Sequence, residues 1–80
     1  MEKTVTIYST PTCHFCQMSK EFFKENGVEY VEHDVSTDLE KRQEMIQKSG
    51  QMGVPVIVVN EDIVVGFDKD RLSSLLGVGA

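Results

Sequence analysis

The two cysteines of the chain, Cys13 and Cys16, are separated by two residues and follow a short β-prone segment. A Cys-x-x-Cys pair between a strand and a helix is the sequence pattern of a dithiol–disulfide redox site. The chemistry needs a thiolate, whereas a free cysteine with a pKa of about 8.5 is mostly protonated at neutral pH. Unpaired N–H groups at a helix N-terminus stabilise the thiolate. Cys13 is placed there, so we predict that Cys13 attacks a substrate disulfide and that Cys16 resolves the mixed disulfide.

Other interpretations of the cysteine pair are weaker. A structural zinc site needs four ligands and the pair supplies two, while His14 and His33 are the histidines that could add more. His14 lies inside the motif itself. A purely structural disulfide is disfavoured because so small a loop removes little chain entropy. An inert buried pair stays open as an alternative, but we favour redox chemistry and expect no metal.

The elements that position this pair follow from hydrophobic periodicity and turn residues. Strands are predicted over residues 3–9, 28–34, 54–59 and 63–65. The first helix is predicted over residues 13–26, and the second opens with a capping box at residues 37–40 and closes at Ser49-Gly50. Asp68 is the predicted N-cap of a last short helix that ends at Gly77. The order β-α-β-α-β-β-α predicts an α/β domain, a four-stranded mixed sheet flanked by three helices, with the first two helices on opposite faces.

Length and charge narrow the classes of function. Residues 1–80 form a single domain by length, and a net charge of −5 without a basic stripe argues against nucleic-acid binding. No apolar run is long enough for a membrane span, and the N-terminal residues do not resemble a signal peptide. We therefore expect a cytoplasmic, reducing compartment, and nothing in the sequence demands more than a monomer.

Two further segments could bind a substrate. A cis peptide bond between Val54 and Pro55 would turn the Val54 backbone towards the cysteines, where it could pair with an extended peptide. A trans proline at the start of a strand is the alternative, since only about 5–6% of such bonds are cis. The backbone N–H groups of residues 66–68 could bind a carboxylate at the start of the last helix. The alternative there is a plain turn with an aspartate cap.

Taken together, these motifs resemble the glutaredoxin family over essentially the whole chain, and most of all its short bacterial single-domain members. The matching pieces, in family order and spacing, are Ile7-Tyr8-Ser9, Thr12-Cys13-His14-Phe15-Cys16, Glu44-Met45-Ile46 through Gly50, Val54-Pro55 and Gly66-Phe67-Asp68. The resemblance implies a thioredoxin fold, a cis Pro55 and glutathione as reductant and co-substrate. Protein substrates would be disulfide-containing or glutathionylated proteins.

The resemblance also implies which residues contact glutathione. Val54 would pair with the cysteinyl backbone, and Asp68 with the N–H groups beside it would hold the γ-glutamyl end. Phe15 stands where the family usually has tyrosine. The implied glutathione contacts are Thr10, Phe15, Met52, Gly53, Val54, Pro55, Gly66, Phe67 and Asp68.

The chain departs from the family pattern at several positions. His14 replaces the proline of the usual Cys-Pro-Tyr-Cys motif, and a positively charged His14 would favour the Cys13 thiolate and make the disulfide more oxidising. Many members carry a lysine at the position of Thr10, where it meets the glycine carboxylate of glutathione. Gly53 replaces a frequent threonine.

Two alternative functions follow from the same comparison. Residues 65–68 are similar to the Ser-Gly-Phe-x-Pro segment of the redoxins that donate electrons to ribonucleotide reductase and are themselves reduced by thioredoxin reductase, a flavin disulfide reductase. The central residues of the cysteine motif usually differ in that group. An iron–sulfur or zinc carrier bridged between two chains by Cys13 is less favoured, because the usual cluster carriers of the family lack the second cysteine.

Overall fold

The computed structural model describes residues 4–78, so the predicted first residue of the first strand, Lys3, lies outside the described residues. The elements occur in the predicted order. They are β1 (Val5–Ser9), α1 (His14–Glu25), β2 (Val31–Asp34), α2 (Leu39–Ser49), β3 (Val56–Val59), β4 (Asp62–Val65) and α3 (Lys69–Leu76).

The strands form one mixed sheet with the order β2-β1-β3-β4. β1 pairs in parallel with β2, with Ile7 opposite Glu32, and antiparallel to β3, with Ile7 opposite Ile57. β3 and β4 form an antiparallel hairpin around a two-residue turn at residues 60–61. The predicted four-stranded mixed sheet flanked by three helices is therefore confirmed.

The helices cover the two faces of the sheet unequally. Since successive strand residues point to opposite faces, Ile7 and Tyr8 enter different core clusters. The face covered by α1 and α3 holds the larger cluster, which contains Val5, Ile7, Phe22, Phe23, Ile57, Val59, Val64, Leu72 and Leu76. The face covered by α2 holds the smaller one, which contains Tyr8, Val35, Met45, Val56 and Val58. The prediction that α1 and α2 lie on opposite faces is confirmed.

The first helix ends as its glycine predicts, but β2 begins three residues later than expected. Gly27 has φ +66°, and the N–H groups of Gly27 and Val28 bond to the carbonyls of Lys24 and Phe23. This is the paired C-terminal cap that closes many helices. The N–H of Val28 is thus used by the helix cap, and pairing with β1 begins only at Val31.

The start of α2 was wrongly predicted by one residue. Asp38, not Thr37, is the N-cap, and its carboxylate accepts a hydrogen bond from the N–H of Lys41 at 3.1 Å. A capping box needs glutamate or glutamine three residues after the cap, and Lys41 cannot return that bond. The hydroxyl of Thr37 instead points back to the carbonyl of Asp34.

The hairpin boundaries also differ from the prediction by one or two residues. β3 begins at Val56 and not at Val54, because proline has no N–H to give to a ladder. β4 begins at Asp62, which pairs with Val59.

None of the helices within residues 4–78 is long and apolar enough to cross a membrane.

Candidate active site

Cys13 and Cys16 lie at the junction between β1 and α1. Cys13 has extended backbone angles and is the N-cap of α1, and its Sγ accepts a hydrogen bond from the N–H of Cys16 at 3.1 Å. The two sulfurs form a disulfide, and the Cα atoms are 5.2 Å apart. Cys16 is fully buried whereas Cys13 is partly exposed. An incoming sulfur can therefore reach Cys13 more readily than Cys16.

A tight turn joins β1 to this cap. The N–H of Cys13 bonds to the carbonyl of Thr10 at 3.2 Å, and the carbonyl of Cys13 accepts from the N–H of Gln17 at 3.2 Å. Ser9, the last residue of β1, is buried, and its hydroxyl donates to the carboxylate of Glu32 at 2.8 Å. The end of the strand and the first turn of the helix are thus both held by hydrogen bonds.

Glu32 links this end of β1 to α1. Its carboxylate accepts a 2.8 Å hydrogen bond from the Nζ of Lys20 as well as the bond from Ser9. The bond from Lys20, and then that from Ser9, holds the pKa of Glu32 below its ordinary value. No local pattern in the sequence predicts this link, because it joins residues from three separate elements.

The two residues between the cysteines are aromatic and lie at the surface. The rings of His14 and Phe15 are in edge-to-face contact, with centroids 5.8 Å apart, and 56% of the Phe15 surface is exposed. An exposed aromatic ring beside a partly exposed sulfur offers apolar contact area to whatever binds there.

The two predicted binding segments outside the cysteine motif are hydrogen-bonded to each other. The Val54–Pro55 peptide bond is cis, Pro55 is fully buried, and its carbonyl accepts from the N–H of Gly66 at 2.8 Å. The backbone N–H and C=O of Val54 make no hydrogen bond to any other residue in the range 4–78. Both groups are therefore without a hydrogen-bond partner among the described residues.

Asp68 caps α3, as predicted, and Phe67 is anchored in the core. The Asp68 carboxylate accepts from the N–H of Arg71 at 3.1 Å. The ring of Phe67 packs edge-to-face on Phe22 with centroids 6.0 Å apart, and Phe67 packs against the α1/α3 core cluster. The side chain of Phe67 therefore holds this segment against α1.

A polar contact on the opposite face joins β1 to α2 and was not foreseen. The buried Tyr8 hydroxyl donates to Glu44 at 2.7 Å, and Lys41 and Lys48 lie 3.1 and 3.4 Å from the same carboxylate. Burial and the bond to Glu44 raise the pKa of Tyr8, while the bonds from Tyr8 and then Lys41 lower the pKa of Glu44 to about 2. The sequence does indicate the two lysine contacts, because Lys41 and Lys48 lie three residues before and four residues after Glu44 on the same helix.

A resident metal has no obvious position in the part of the chain that the structure describes. Within residues 4–78, no three side chains of histidine, cysteine, aspartate or glutamate converge as a metal site would require. The cysteine pair and the exposed ring of Phe15 are the groups that lie together at the start of α1.

Comparison with known proteins places these features in one family. A family model described as Glutaredoxin matches residues 5–64. An uncharacterised glutaredoxin-like 8.6 kDa protein in the rubredoxin operon of Clostridium pasteurianum is 42% identical over 72 residues, covering 90% of this chain and 96% of that protein. Glutaredoxin 3 of Escherichia coli strain K12 is 34% identical over 64 residues, covering 80% and 77%.

A solved structure shows the same architecture. The crystal structure of the thioredoxin-like protein BC3987 superposes with a TM-score of 0.85 at 33% identity, covering 90% of this chain and 99% of that chain. The two chains therefore share one fold over nearly their whole lengths. The expected thioredoxin fold is confirmed.

Proposed function

This chain belongs to the glutaredoxin family of thiol–disulfide oxidoreductases, and we propose that it reduces protein disulfides and glutathione mixed disulfides with electrons from glutathione. The position of Cys13 carries the proposed disulfide chemistry, and membership of the glutaredoxin family supports glutathione as the electron source. The sulfur of Cys13 is the cap of α1, accepts the Cys16 N–H and is the more exposed of the pair. A thiolate there is stabilised by the helix N-terminus.

The reaction begins from the dithiol form. The Cys13 thiolate attacks one sulfur of the substrate disulfide, a Cys13–substrate disulfide forms, and the first substrate thiolate leaves and takes up a proton. Cys16 then loses its proton and attacks the Sγ of Cys13, which releases the second substrate thiol. Two electrons pass to the substrate, and the Cys13–Cys16 disulfide seen in the structure is the product state.

Glutathione closes the cycle. One glutathione thiolate attacks the Sγ of Cys13 and releases Cys16 as a thiol. A second glutathione attacks the sulfur of the bound glutathione, so that oxidised glutathione leaves and the dithiol is restored. We assign Val54 to the cysteinyl backbone and Asp68 to the γ-glutamyl end. The remaining proposed contacts are Thr10, Phe15, Met52, Gly53, Pro55, Gly66 and Phe67.

The setting proposed for this activity is a monomer in the cytoplasm, acting on disulfide-containing or glutathionylated proteins. In a reducing compartment, lasting structural disulfides are rare, and the disulfides that do form are usually transient and catalytic. The open backbone of Val54 suits an extended peptide segment as well as glutathione.

A second candidate electron source is thioredoxin reductase, as for the redoxins that supply ribonucleotide reductase. The observation in its favour is Thr10, which carries no charge at the position where many glutaredoxins use lysine for the glycine carboxylate of glutathione. This alternative keeps the roles of Cys13 and Cys16 and changes only the reductant.

Asp68 offers a test of glutathione binding that is separate from stability. Asparagine caps a helix about as well as aspartate, so Asp68→Asn should keep the thermal midpoint while it removes the charge proposed to meet the γ-glutamyl amino group. We expect the KM for glutathione to rise about two- to fivefold, in keeping with one exposed charge pair. Steady-state kinetics with glutathione and its reductase measure it.

The matched control is Asp68→Ala, which should lower the thermal midpoint as well as raise the KM, because it also removes the bond to the N–H of Arg71. An unchanged KM in Asp68→Asn would mean that Asp68 serves α3 alone.

A further inference from the structure

The side chain of Gln51 holds both backbone polar groups of Gly53. The Oε1 of Gln51 accepts a short hydrogen bond from the N–H of Gly53, and the Nε2 of Gln51 donates to the carbonyl of Gly53 at 3.0 Å. The pair of bonds resembles one rung of an antiparallel ladder, with a side-chain amide in place of a second strand. We call this contact the Gln51 clasp.

The clasp is connected to the end of α2. The Oγ of Ser49 lies 2.7 Å from the carbonyl of Met45 and 3.0 Å from that of Gln51, and it accepts from the N–H and the Nε2 of Gln51 at 3.4 Å. A continuous set of hydrogen bonds therefore runs from the last turn of α2 to Gly53. The next residue along the chain is Val54, whose own N–H and C=O make no bond within residues 4–78.

At Gly53 the limit on side-chain size comes from this contact and not from the backbone angles. Its φ is not among the positive values of the chain, so alanine can adopt the same backbone conformation. A Cβ added at Gly53 would lie 2.6 Å from the Oε1 of Gln51, far inside contact distance. Any larger residue at position 53 must displace the Gln51 amide.

We propose that Gln51 is a positioning residue that orders residues 52–54 in advance, so that Val54 presents its free backbone groups to an extended substrate beside Cys13. Glycine has the greatest backbone freedom of any residue, and an unheld Gly53 would have to be ordered at each binding event. The inference rests on the proposed function in one respect, which is that Val54 pairs with the substrate.

The test measures substrate binding without an external reductase. The protein is reduced with dithiothreitol, which is then removed by desalting. It is mixed in a stopped-flow instrument with an excess of a peptide disulfide, made of two identical blocked tripeptides joined through their central cysteines. Two electrons pass from Cys13 and Cys16 to the peptide, which yields two peptide thiols and the protein disulfide. The dependence of the rate on peptide concentration gives a half-saturation concentration and a limiting rate.

We expect Gln51→Ala to raise the half-saturation concentration about three- to tenfold and to leave the limiting rate within about twofold, since one or two exposed hydrogen bonds are lost and Cys13 is untouched. Gly53→Ala should act in the same way. The double variant should have the same half-saturation concentration as Gln51→Ala, because the Gln51 amide that the new Cβ would meet is no longer present. Gln47→Ala, an exposed glutamine of α2, is the matched control and should behave as wild type.

A second readout is independent of activity. Hydrogen exchange of the Gly53 amide, followed by NMR, should be faster in Gln51→Ala and unchanged in Gln47→Ala. Equal exchange in wild type and Gln51→Ala would overturn the clasp. Full additivity of the two single substitutions, or a Gln51→Ala protein with wild-type peptide binding, would overturn its role. A wild type that fails to reduce the peptide would overturn the proposed function itself, and with it the substrate role of Gln51.

Discussion

At the scale of single residues, the two cysteines differ through their positions on one helix. Cys13 is the cap, with a sulfur in contact with a backbone N–H and with solvent, while Cys16 is one turn further along and fully buried. The same side-chain type therefore has two environments, and only one of them favours an attacking thiolate. This difference supports the proposed roles, in which Cys13 attacks and Cys16 resolves.

Serine substitutions separate the two roles. Cys13→Ser should abolish all activity, because no thiolate remains at the cap. Cys16→Ser should retain reduction of glutathione mixed disulfides, since that route needs one thiol, and should lose most reduction of protein disulfides. Steady-state assays on both substrate types measure this, and a dead Cys16→Ser with an active Cys13→Ser would reverse the assignment.

The sequence predicts that a positively charged His14 would favour the Cys13 thiolate and make the disulfide more oxidising. His14 is the first residue of α1, where proline is well tolerated, so His14→Pro should fold normally. Without the cation, the Cys13 thiolate is less stable and the couple should become more reducing by up to about 20 mV, the equivalent of one exposed charge interaction. Equilibration with dithiothreitol redox buffers measures the potential.

His14→Gln is the control for this substitution, since it removes the charge without adding the proline ring. A similar shift in both variants supports the charge, whereas a shift in His14→Pro alone would assign the effect to the ring. Unchanged potentials in both would refute the argument.

At the scale of elements, the contact between Tyr8 and Glu44 joins the central strand β1 to α2. The Tyr8 ring is almost fully buried, and its hydroxyl reaches a carboxylate whose side chain is 36% exposed and is also flanked by two lysines. The bond spans 36 residues of sequence, so it fixes the helix against the sheet on the face opposite α1. We expect it to contribute to stability and not to the chemistry at Cys13.

Tyr8→Phe tests this contact through the acid dependence of stability. We expect a loss of about 1 kcal/mol in the free energy of unfolding at pH 7, because one hydrogen bond to a partly exposed carboxylate disappears. Glu44 has a folded pKa of about 2 against an ordinary 4.5, and its depressed value stabilises the fold above about pH 4.5. That contribution is lost as the pH falls towards 2.

The Tyr8 bond is the largest cause of the lowered pKa of Glu44, so the difference between wild type and Tyr8→Phe should shrink over the same interval. Urea unfolding at pH 7, 4.5 and 2.5 measures it, with Glu44→Gln as a control that should flatten the same pH dependence. A difference that stays constant from pH 7 to pH 2.5 would contradict the account.

At the scale of the whole molecule, the sequence was informative wherever a local signal determines the structure. Helix caps depend on a few neighbouring residues, so the end of α1 and both ends of α3 could be predicted from Gly27, Asp68 and Gly77. The alternation of β1, the continuous apolar run of β3 and the helical spacing in α1 predict which residues are buried. The order of elements, and with it the fold, follows from these signals.

Contacts between distant or competing groups were less accessible to prediction. Val28 and Tyr30 alternate as in a strand, yet one completes a helix cap and the other packs on Phe23 with ring centroids 5.2 Å apart. Thr37 and Asp38 are both good caps, and only the structure shows which is used. The cis bond at Pro55 could be predicted from the family resemblance and not from the dipeptide alone. The Gln51 clasp could not be predicted, because a side-chain contact within a loop produces no hydrophobic periodicity.

At this scale the site that we propose comprises Cys13, the backbone of Val54 and the cap at Asp68, and the central claim about it concerns the source of its electrons. The most direct measurement compares two reducing systems on the same glutathionylated test substrate. One contains glutathione, glutathione reductase and NADPH, and the other contains thioredoxin reductase and NADPH. Our account predicts sustained turnover with glutathione and its reductase, and turnover that occurs only with thioredoxin reductase would contradict it.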